Sequence, residues 1–448
     1  MKIVHNFHRF FPEACGGIQI HLSELMPHLK LEGVFSKVAA AIEGQQAQAY
    51  AYHDVDVYRY PTFPEPPLEP NHGAFKHGRF HLFYEWLMQE KPDVYHQHQW
   101  TRRCGLEHLK IAKQLNIKTV VTLHLPEAIC LRRTLMFEGK TACNGRITVS
   151  KCSKCVDTYS QKLPNPMLSL LGQLPTSVIN QLSLPDVSYL GHPVHSKKAA
   201  LTRPLVMPSY VNERLRSLRQ LSKFSDRIIV VCDWLKQALL VNGIPEQKIG
   251  LCKYGIELPS ILQDKPKSGR SKAAALKIAF LGRWYKTKGL HILVEAMNLI
   301  SPDISIKLYI HAIPQDESYQ QKMTQLIQTN QRIRIERQIP RSELQSTLAQ
   351  YDVLAVPSQW LETGPLVVLE AHSIGIPVVG SNLGGIAERV RNNVDGILVE
   401  ANNPHAWANA FTQLACDPSF LEKLKQGIQP VRTISREARE LAQMYRQL

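Results

Sequence analysis

Two cations in the second half of the chain have the spacing of an anion-binding site. Arg283 and Lys288 follow the apolar run 277–282, on a segment that leads into a helical pattern. Cations beside the N-terminus of a helix suit a diphosphate, and they can neutralise it as a leaving group without a metal ion. The sequence therefore predicts a diphosphate site at Arg283 and Lys288.

A pair of glutamates separated by seven residues, Glu362 and Glu370, follows the next strong strand pattern. A helix opens between them, so its first backbone amides are unpaired donors that are available to phosphate oxygens. Glu370 lies inside this helix, where its carboxylate can accept hydrogen bonds from the vicinal hydroxyls of a ribose. The predicted donor-binding residues that open the helix are Gly364, Pro365, Leu366 and Val367.

A third glycine loop, Gly384-Gly385-Ile386-Ala387-Glu388, follows another strand pattern. Three motifs follow one another over residues 277–400, in the order Gly-Arg…Lys-Gly, Pro-Ser…Glu-x7-Glu and Gly-Gly-Ile-x-Glu. This order resembles that of the retaining glycosyltransferases of family 4. The resemblance implies that Arg283 and Lys288 bind the donor diphosphate, Glu362 lies near the donor sugar, and Glu370 binds the nucleotide ribose. It also implies a GT-B fold, in which two Rossmann-like doubly wound domains face a cleft.

The same resemblance implies the activity. We expect a retaining enzyme that moves a sugar from a nucleotide-sugar donor to a glycan or lipid-linked acceptor, in the assembly of cell-surface polysaccharides or lipid sugars. Arg283 and Lys288 would replace a divalent cation, so we expect no cofactor for catalysis.

The first half contributes the remaining candidates for this site. Gly16 and Gly17 match the family's N-terminal glycine pair, where backbone can approach a ligand closely before a helix begins. His124 ends a strand pattern, and in the family a histidine at this point contacts the donor sugar or stabilises the transition state. His96 and His98 also follow a strand pattern and are further candidates for the cleft.

A cluster of four cysteines falls within 26 positions, and two of them form a Cys-x-x-Cys knuckle. In a cytosolic protein this pattern favours ligation of zinc by thiolates over disulfides, and four soft ligands would make a structural site. The alternatives are four free thiols or a redox pair. The predicted zinc ligands are Cys130, Cys143, Cys152 and Cys155.

The element pattern around these residues alternates between strands and helices, which predicts parallel sheets wound with helices on both faces. We expect an acceptor-side domain over 1–262 with a cysteine-rich and basic insertion at about 126–212. A nucleotide-sugar-binding domain would follow over 263–430, after a polar linker near 259–275. A helix over 431–448 would pack back on the first domain.

The chain has 448 residues and a formal net charge of +15. It has no apolar run of the roughly 20 residues that span a bilayer, and its N-terminal pattern indicates a strand and not a signal peptide, so we expect a cytoplasmic protein. A basic run at about 196–227 and the apolar stretch 166–171 suit an anionic membrane surface, which predicts peripheral attachment to the inner face of the cytoplasmic membrane. A solvated helix is the alternative explanation of the basic run.

Three other functions compete with glycosyl transfer. A nucleotide-sugar epimerase can share the GT-B fold. A zinc-containing nucleic-acid-binding protein would explain the charge and the knuckle, but it leaves the glutamate spacing unexplained, and we expect no nucleic acid partner. A GT-A enzyme would use a metal-bound Asp-x-Asp, but Asp54-Val55-Asp56 lies far from the donor residues in the sequence.

Overall fold

The alternating strand and helix patterns fold into two units, which the computed structural model divides at Lys253 and Tyr254. The first unit comprises Met1–Lys253 and Ile434–Leu448, and the second comprises Tyr254–Thr433. Most of the predicted linker and part of the predicted insertion lie outside the residues that the structure describes. Those residues are 1–12, 16–62, 79–101, 103–174, 197–258, 274–313 and 317–448, with the backbone alone at 197–202 and 312–313.

The first unit is built on a sheet of eight described strands in the order β10-β9-β6-β5-β1-β2-β4-β3. All neighbours pair parallel except β3 and β4, and β7 and β8 form a separate hairpin. The strands are β1 (Lys2–Phe7), β2 (Phe35–Ile42), β3 (Gln48–Tyr52), β4 (Val55–Pro61), β5 (Val94–Gln97), β6 (Lys118–Leu123), β7 (Met136–Phe137), β8 (Thr141–Ala142), β9 (Arg227–Val230) and β10 (Ile249–Leu251).

Helices cover both faces of this sheet because its parallel strands need crossover connections. Those of the first unit are α1 (Gly17–Leu31), α2 (Phe80–Glu90), α3 (Leu106–Gln114), α4 (Val149–Val156), α5 (Asn165–Leu171), α6 (Lys197–Phe224) and α7 (Asp233–Leu240). The helix Ile434–Arg446 also belongs to this unit, although it follows the second unit in the chain. It packs with α1 on one face of the sheet, around Leu25, Leu441 and Tyr445.

The second unit is a sheet of six described parallel strands in the order β13-β12-β11-β14-β15-β16. Counted from its first strand, this order is 3-2-1-4-5-6, the doubly wound order of the Rossmann fold. Its topological switch point lies between β11 and β14, where ligands bind in such sheets. The strands are β11 (Leu276–Arg283), β12 (Ile306–Ile313), β13 (Ile333–Glu336), β14 (Val353–Val356), β15 (Val378–Ser381) and β16 (Gly396–Val399).

Two apolar clusters hold the helices of the second unit on opposite sides of its sheet. One contains Trp284, Trp407 and Phe411, and the other contains Leu348, Val368 and Ile386. The helices are α8 (Leu290–Leu299), α9 (Glu317–Gln328), α10 (Leu344–Leu348), α11 (Leu366–Ser373), α12 (Gly384–Arg389), α13 (Pro404–Cys416) and α14 (Pro418–Gly427), and α15 is Ile434–Arg446 of the first unit.

The predicted α/β class and the two Rossmann-like units are confirmed. None of the described helices combines the length and the hydropathy that crossing a bilayer requires.

Candidate functional site

The carboxyl ends of β11 and β14 bring two of the predicted segments together at the switch point of the second unit. Arg283 is the last residue of β11, and the turn Lys286–Lys288 follows it. The Gln359 amide donates to Thr287 O at 2.7 Å, which joins this turn to the loop after β14. Gly289 has φ +76°, and a Cβ there would lie 1.9 Å from Pro357 O, so this close approach of two loops requires glycine.

Glu362 is buried beneath these loops, and one of its carboxylate oxygens collects three donors. Oε1 accepts from Lys288 Nζ at 2.5 Å, from Ser358 Oγ at 2.7 Å and from Trp360 Nε1 at 3.0 Å. The Lys288 ammonium also lies 5.7 Å from the centroid of the Trp360 ring, which is within the range of a cation–π contact. The carboxylate therefore fixes the position of the ammonium that was predicted to bind diphosphate.

The glycine loop Gly384-Gly385 packs directly on the segment that carries Glu362. The Gly385 amide donates to Glu362 O at 2.6 Å, and Gly384 has the left-handed φ of +48°. A Cβ at Gly385 would lie 2.5 Å from the Gly364 amide nitrogen, which leaves no room for a side chain. The second and third predicted motifs therefore form one packed structure.

Helix α11 begins at Leu366, directly after Pro365, so the Leu366 and Val367 amides lie in its first turn, where a helix offers no partner. Glu370 lies one turn further along and is 3% exposed. Its Oε1 is paired with Nη1 of Arg341, from the loop after β13. The predicted ribose carboxylate is thus held by a cation in this structure.

The side chain of Arg283 is exposed, and it makes neither a hydrogen bond nor an ion pair with any other residue that the structure describes. The geometry therefore leaves its guanidinium available to an anion beside β11. Lys288 differs, because its ammonium is already paired with Glu362.

The first-unit candidates lie at the carboxyl ends of β1 and β6. Gly16 caps α1, and its amide donates to Gln19 Oε1 at 3.2 Å. A Cβ at Gly17 would meet nothing within 4 Å, so packing does not require glycine there. His124 follows β6 and is buried, and its Nε2 lies 3.1 Å from Nδ1 of His98. Burial lowers the pKa of His124 to about 3, so the ring is neutral at pH 7.

The four predicted zinc ligands line one pocket between the β7–β8 hairpin and α4. Cys155 Sγ accepts from the Glu138 amide at 3.1 Å, and Cys143 Sγ lies 3.5 Å from Lys151 Nζ. Burial, with a contribution from the other three thiols, raises the pKa of Cys152 to about 12. The structure contains no disulfide among the cysteines it describes.

The predicted basic run is less exposed than its composition suggests. Arg214 is buried, and its Nη1 donates to Glu127 O at 2.9 Å. Arg216 pairs with Glu213 on α6, whereas Arg219 and Lys223 are exposed. The side chains of Lys197 and Lys198 lie outside the described residues.

Sequence reasoning did not assign a role to Trp360 or Arg341, which contact the two glutamates of the site. The signal for both was position, because each lies just after the carboxyl end of a strand, β14 or β13, where ligands of such sheets bind. Their pairing with the glutamates is less easily predicted. Arg341 and Glu370 lie far apart along the chain, so the sequence gives no sign that they are in contact.

Two family models match the chain. The model described as glycosyl transferases group 1 matches residues 263–429, and the model described as glycosyltransferase family 4 matches residues 15–154. The first contains all the second-unit site residues, and the second contains His124, the α1 glycines and the cysteine cluster except Cys155.

Curated relatives match more locally. A D-inositol 3-phosphate glycosyltransferase from Corynebacterium urealyticum is 34% identical over 32% of this chain and 36% of its own length. A putative colanic acid biosynthesis glycosyltransferase, WcaL, from Escherichia coli is 26% identical over 46% of this chain and 52% of its own. The alignments thus span about a third to a half of these relatives.

Solved structures match along the whole chain. The Anabaena protein HepE, determined in complex with UDP and glucose, has a TM-score of 0.61 at 15% identity, with 100% of both chains covered. Sucrose-phosphate synthase from Thermosynechococcus elongatus has a TM-score of 0.62 at 17% identity over 100% of this chain and 98% of its own. At such identities these likenesses show the fold, which is GT-B. Each unit therefore contains a segment that matches a glycosyltransferase family model, family 4 in the first unit and group 1 in the second.

Proposed function

We propose that this protein is a retaining glycosyltransferase that uses a nucleotide-sugar donor and needs no metal ion for catalysis. The observation that carries the proposal is the arrangement around Glu362, where Lys288 and two other donors meet at the switch point of the second unit. Arg283 stands at the end of the adjacent strand. A site with two cations and a helix N-terminus suits the diphosphate of such a donor.

The residues divide the reaction between binding and leaving-group stabilisation. The diphosphate lies against the first-turn amides of α11, and the ribose hydroxyls donate to Glu370. The bond between the sugar C1 and the diphosphate oxygen breaks, and the acceptor oxygen forms its bond to C1 on the same face. The acceptor proton leaves with the diphosphate, whose negative charge Arg283 and Lys288 offset. His124 contacts the donor sugar, and Gly16 and Gly17 let the backbone approach the donor.

The acceptor is a glycan or a lipid-linked saccharide in cell-surface polysaccharide or lipid-sugar assembly. The support comes from relatives whose names include colanic acid biosynthesis and transfer to an inositol phosphate.

Incubation of the purified protein with a panel of nucleotide sugars, in excess EDTA, tests the proposal. We expect one donor to be hydrolysed slowly without an acceptor, and the anomeric configuration of the released sugar to match that of the donor. Release with the opposite configuration would contradict retention, and recovery only with added Mg²⁺ or Mn²⁺ would contradict metal independence. An isomerised nucleotide sugar would identify an epimerase.

We further propose that the cysteine cluster holds one structural zinc ion. The four thiols line a single pocket, where burial and the neighbouring thiols raise the pKa of Cys152 to about 12, and a bound cation would reverse that effect. Among the described residues, the one triplet of histidine, cysteine or carboxylate ligand atoms within 4.8 Å of one another is His5, His96 and His98. The sulfurs are spaced more widely, so they would close around the ion.

Elemental analysis of protein purified without chelator measures this directly, and we expect about one zinc ion per chain. Cys152→Ser should lose the metal and lower the melting temperature, whereas Cys416→Ser, at an exposed cysteine of the second unit, should change neither. Metal-free protein, or a Cys152→Ser variant that keeps its zinc, would contradict the site.

We also propose that this protein is cytoplasmic and attaches peripherally to the inner face of the cytoplasmic membrane. Helix α5 presents apolar side chains to solvent, with Met167 43% and Leu170 68% exposed. It packs against α6, which carries the exposed cations Arg219 and Lys223. Apolar contacts and cations both contribute to the free energy of binding to an anionic surface, and each cation contributes roughly 1 kcal/mol.

Co-sedimentation with vesicles separates attachment from a solvated helix. We expect binding to anionic vesicles that is weakened by salt, and no binding to neutral ones. Leu170→Gln should reduce binding, whereas Leu31→Gln, at a leucine that ends α1 and is more exposed still, should not. Equal recovery in the supernatant with both lipids would contradict attachment.

A further inference from the structure

Four histidines lie together in the interior of the first unit, on the face of the sheet that α1 and α15 cover. His5 is in β1, His96 is in β5, His98 follows β5, and His124 follows β6. Each is at most 5% exposed. So many buried imidazoles require partners, because unpaired polar groups in an interior cost free energy.

The strand register places these rings on a diagonal across the sheet. His5 lies opposite Val38 of β2 and opposite His96 of β5. Since side chains alternate with a period of two, Ser36 shares the face of Val38, one step toward the amino end of β2, and His98 shares the face of His96. His96 is also opposite Val120 of β6, so His124 continues the diagonal toward the carboxyl edge.

Hydrogen bonds connect the diagonal from end to end. Ser36 Oγ lies 3.2 Å from His5 Nε2, His5 Nδ1 lies 2.8 Å from His98 Nε2, and His98 Nδ1 lies 3.1 Å from His124 Nε2. We call Ser36, His5, His98 and His124 the imidazole relay. Its first member is partly exposed, and its final member is the residue predicted to contact the donor sugar.

His96 supports the relay from the side and does not belong to it. Its Nδ1 lies 2.6 Å from the Tyr445 hydroxyl of α15, and its Nε2 lies 2.7 Å from Thr122 Oγ1. Its ring centroid is 3.9 Å from that of His98. Both of its nitrogens are therefore used, and His98 is held in place by ring contact.

The rings of the relay are neutral, since burial lowers the pKa of His5 and His124 to about 3 and that of His98 below its ordinary value. A neutral imidazole has one donor and one acceptor nitrogen. When three such rings are bonded in series, all the hydrogen bonds must point the same way. The nitrogen of His124 that carries hydrogen is thus tied to His98, and through His5 to Ser36.

We propose that His5 and His98 are positioning residues that fix the tautomer of His124, and that Ser36 supplies the hydrogen-bond partner at the far end of the relay. The role of the fixed ring in sugar transfer rests on the proposed function, whereas the tautomer itself does not. The buried ionisable groups on the helices that cover this face are His21 of α1, which bonds Glu437 of α15 at 2.9 Å, and Tyr445 of α15.

Two substitutions at His98 separate the two halves of its role. His98→Asn keeps a polar atom near the Nδ1 position that faces His124, and His98→Gln keeps one near the Nε2 position that faces His5. In histidine-labelled protein, nitrogen-15 NMR distinguishes ring nitrogens with and without hydrogen. We expect one His124 tautomer in the wild type and in His98→Asn, but a mixture in His98→Gln, with kcat for the donor lower by about tenfold and nucleotide affinity unchanged.

A single His124 tautomer in His98→Gln would overturn the proposal, as would equal losses in both variants, which would indicate a packing role. If wild-type protein shows the tautomer pattern but transfers no sugar, the proposed function fails and the relay stands.

A second pair of variants tests the relay at Ser36, the member farthest along the relay from His124. Ser36 is partly exposed, so a substitution there disturbs the core less than one at a buried ring. Thr and Val have the same shape and both suit a strand, so Ser36→Thr keeps the terminal hydroxyl and Ser36→Val removes it. We expect Ser36→Val alone to shift the His124 nitrogen resonances. Unchanged resonances in Ser36→Val would overturn the role of Ser36. A metal ion that survives removal of the cysteine-bound zinc and is lost in His5→Ala would overturn the relay altogether, because the rings would then be ligands.

Discussion

Arg283 and Lys288 differ in how much of their charge a ligand can use. Arg283 is exposed beside β11, whereas Lys288 shares its charge with Glu362 at 2.5 Å. The position of Lys288 is therefore fixed before a diphosphate binds, which lowers the cost of organising the site in the transition state.

Replacing either cation by alanine should cost about 2–4 kcal/mol of transition-state stabilisation, because each loses a preorganised charge at the leaving group. Steady-state kcat/KM for the donor measures the loss. Lys286→Ala is the matched control, since Lys286 is an exposed cation in the same turn. Turnover within tenfold of the wild type for both Arg283→Ala and Lys288→Ala would remove them from the reaction.

Glu370→Gln should act on nucleotide binding and leave the chemical step unchanged. A hydrogen bond to a charged group contributes about 1.5–3 kcal/mol, so the dissociation constant of the nucleoside diphosphate should rise about tenfold or more. Calorimetric titration measures it. Glu343→Gln, at a glutamate that pairs with Arg337 beside the same loop, should bind the nucleotide as the wild type does. Equal affinities in both variants would rule out a ribose contact at Glu370.

Residue types and spacing predicted the charged members of the site but not their partners. Glu362 and Lys288 could be identified because each follows a strand at the carboxyl edge. Their direct pairing could not, since it depends on how two loops from β11 and β14 meet in space. The imidazole relay could not be predicted either, because it depends on the register between paired strands, which the sequence does not reveal.

At the scale of elements, the two glycines that open α12 support the loop that carries Glu362. Gly385→Ala should destabilise the second unit by about 1–3 kcal/mol, because the new methyl would overlap backbone atoms that have little freedom to move. Urea unfolding measures the change, and donor turnover should fall with it. Gly282→Ala is the control: a Cβ there would meet the Phe280 ring at an ordinary 3.4 Å, and the change should stay within about 0.5 kcal/mol. Equal stability of the two variants would contradict the packing argument.

The predicted elements of the second unit agree with the observed ones because apolar runs and helical spacing identify buried strands and helices well. The sequence indicated an apolar run at 277–282 that leads into a helix, and the structure has β11 and α8 there. The elements of the cysteine-rich insertion were harder to predict from the sequence. Strands as short as β7 and β8 are determined by turns and tertiary contacts, and they are too short to show a periodic pattern. The triplet Asp54-Val55-Asp56 proved to lie on a hairpin, where Asp56 pairs with Lys37 at 3.3 Å.

At the scale of the molecule, the buried histidines make the first unit sensitive to acid. His5 and His124 have folded pKa values of about 3, below the 6.5 of an exposed ring. Between those values the unfolded chain binds more protons than the folded one. The contribution of these neutral rings to the free energy of unfolding is therefore fully present above pH 6.5 and is lost as the pH falls.

The free energy of unfolding should therefore fall from pH 7 to pH 5.5 by about 1 kcal/mol for each such ring. Urea titrations at both pH values measure it, and His5→Asn should reduce the dependence by about one proton. A pH-independent free energy of unfolding over this range would mean that the rings titrate normally in the folded state.

The order in which the chain is synthesised differs from the order in which its units are completed. The second unit has its two ends side by side, since the Ile256 amide donates to Arg432 O at 3.0 Å, so it can close as soon as residue 433 has emerged. The first unit must wait for α15, which supplies Ile434, Leu441 and Tyr445 to its core. During translation, the half that begins first is therefore the half whose core is completed last.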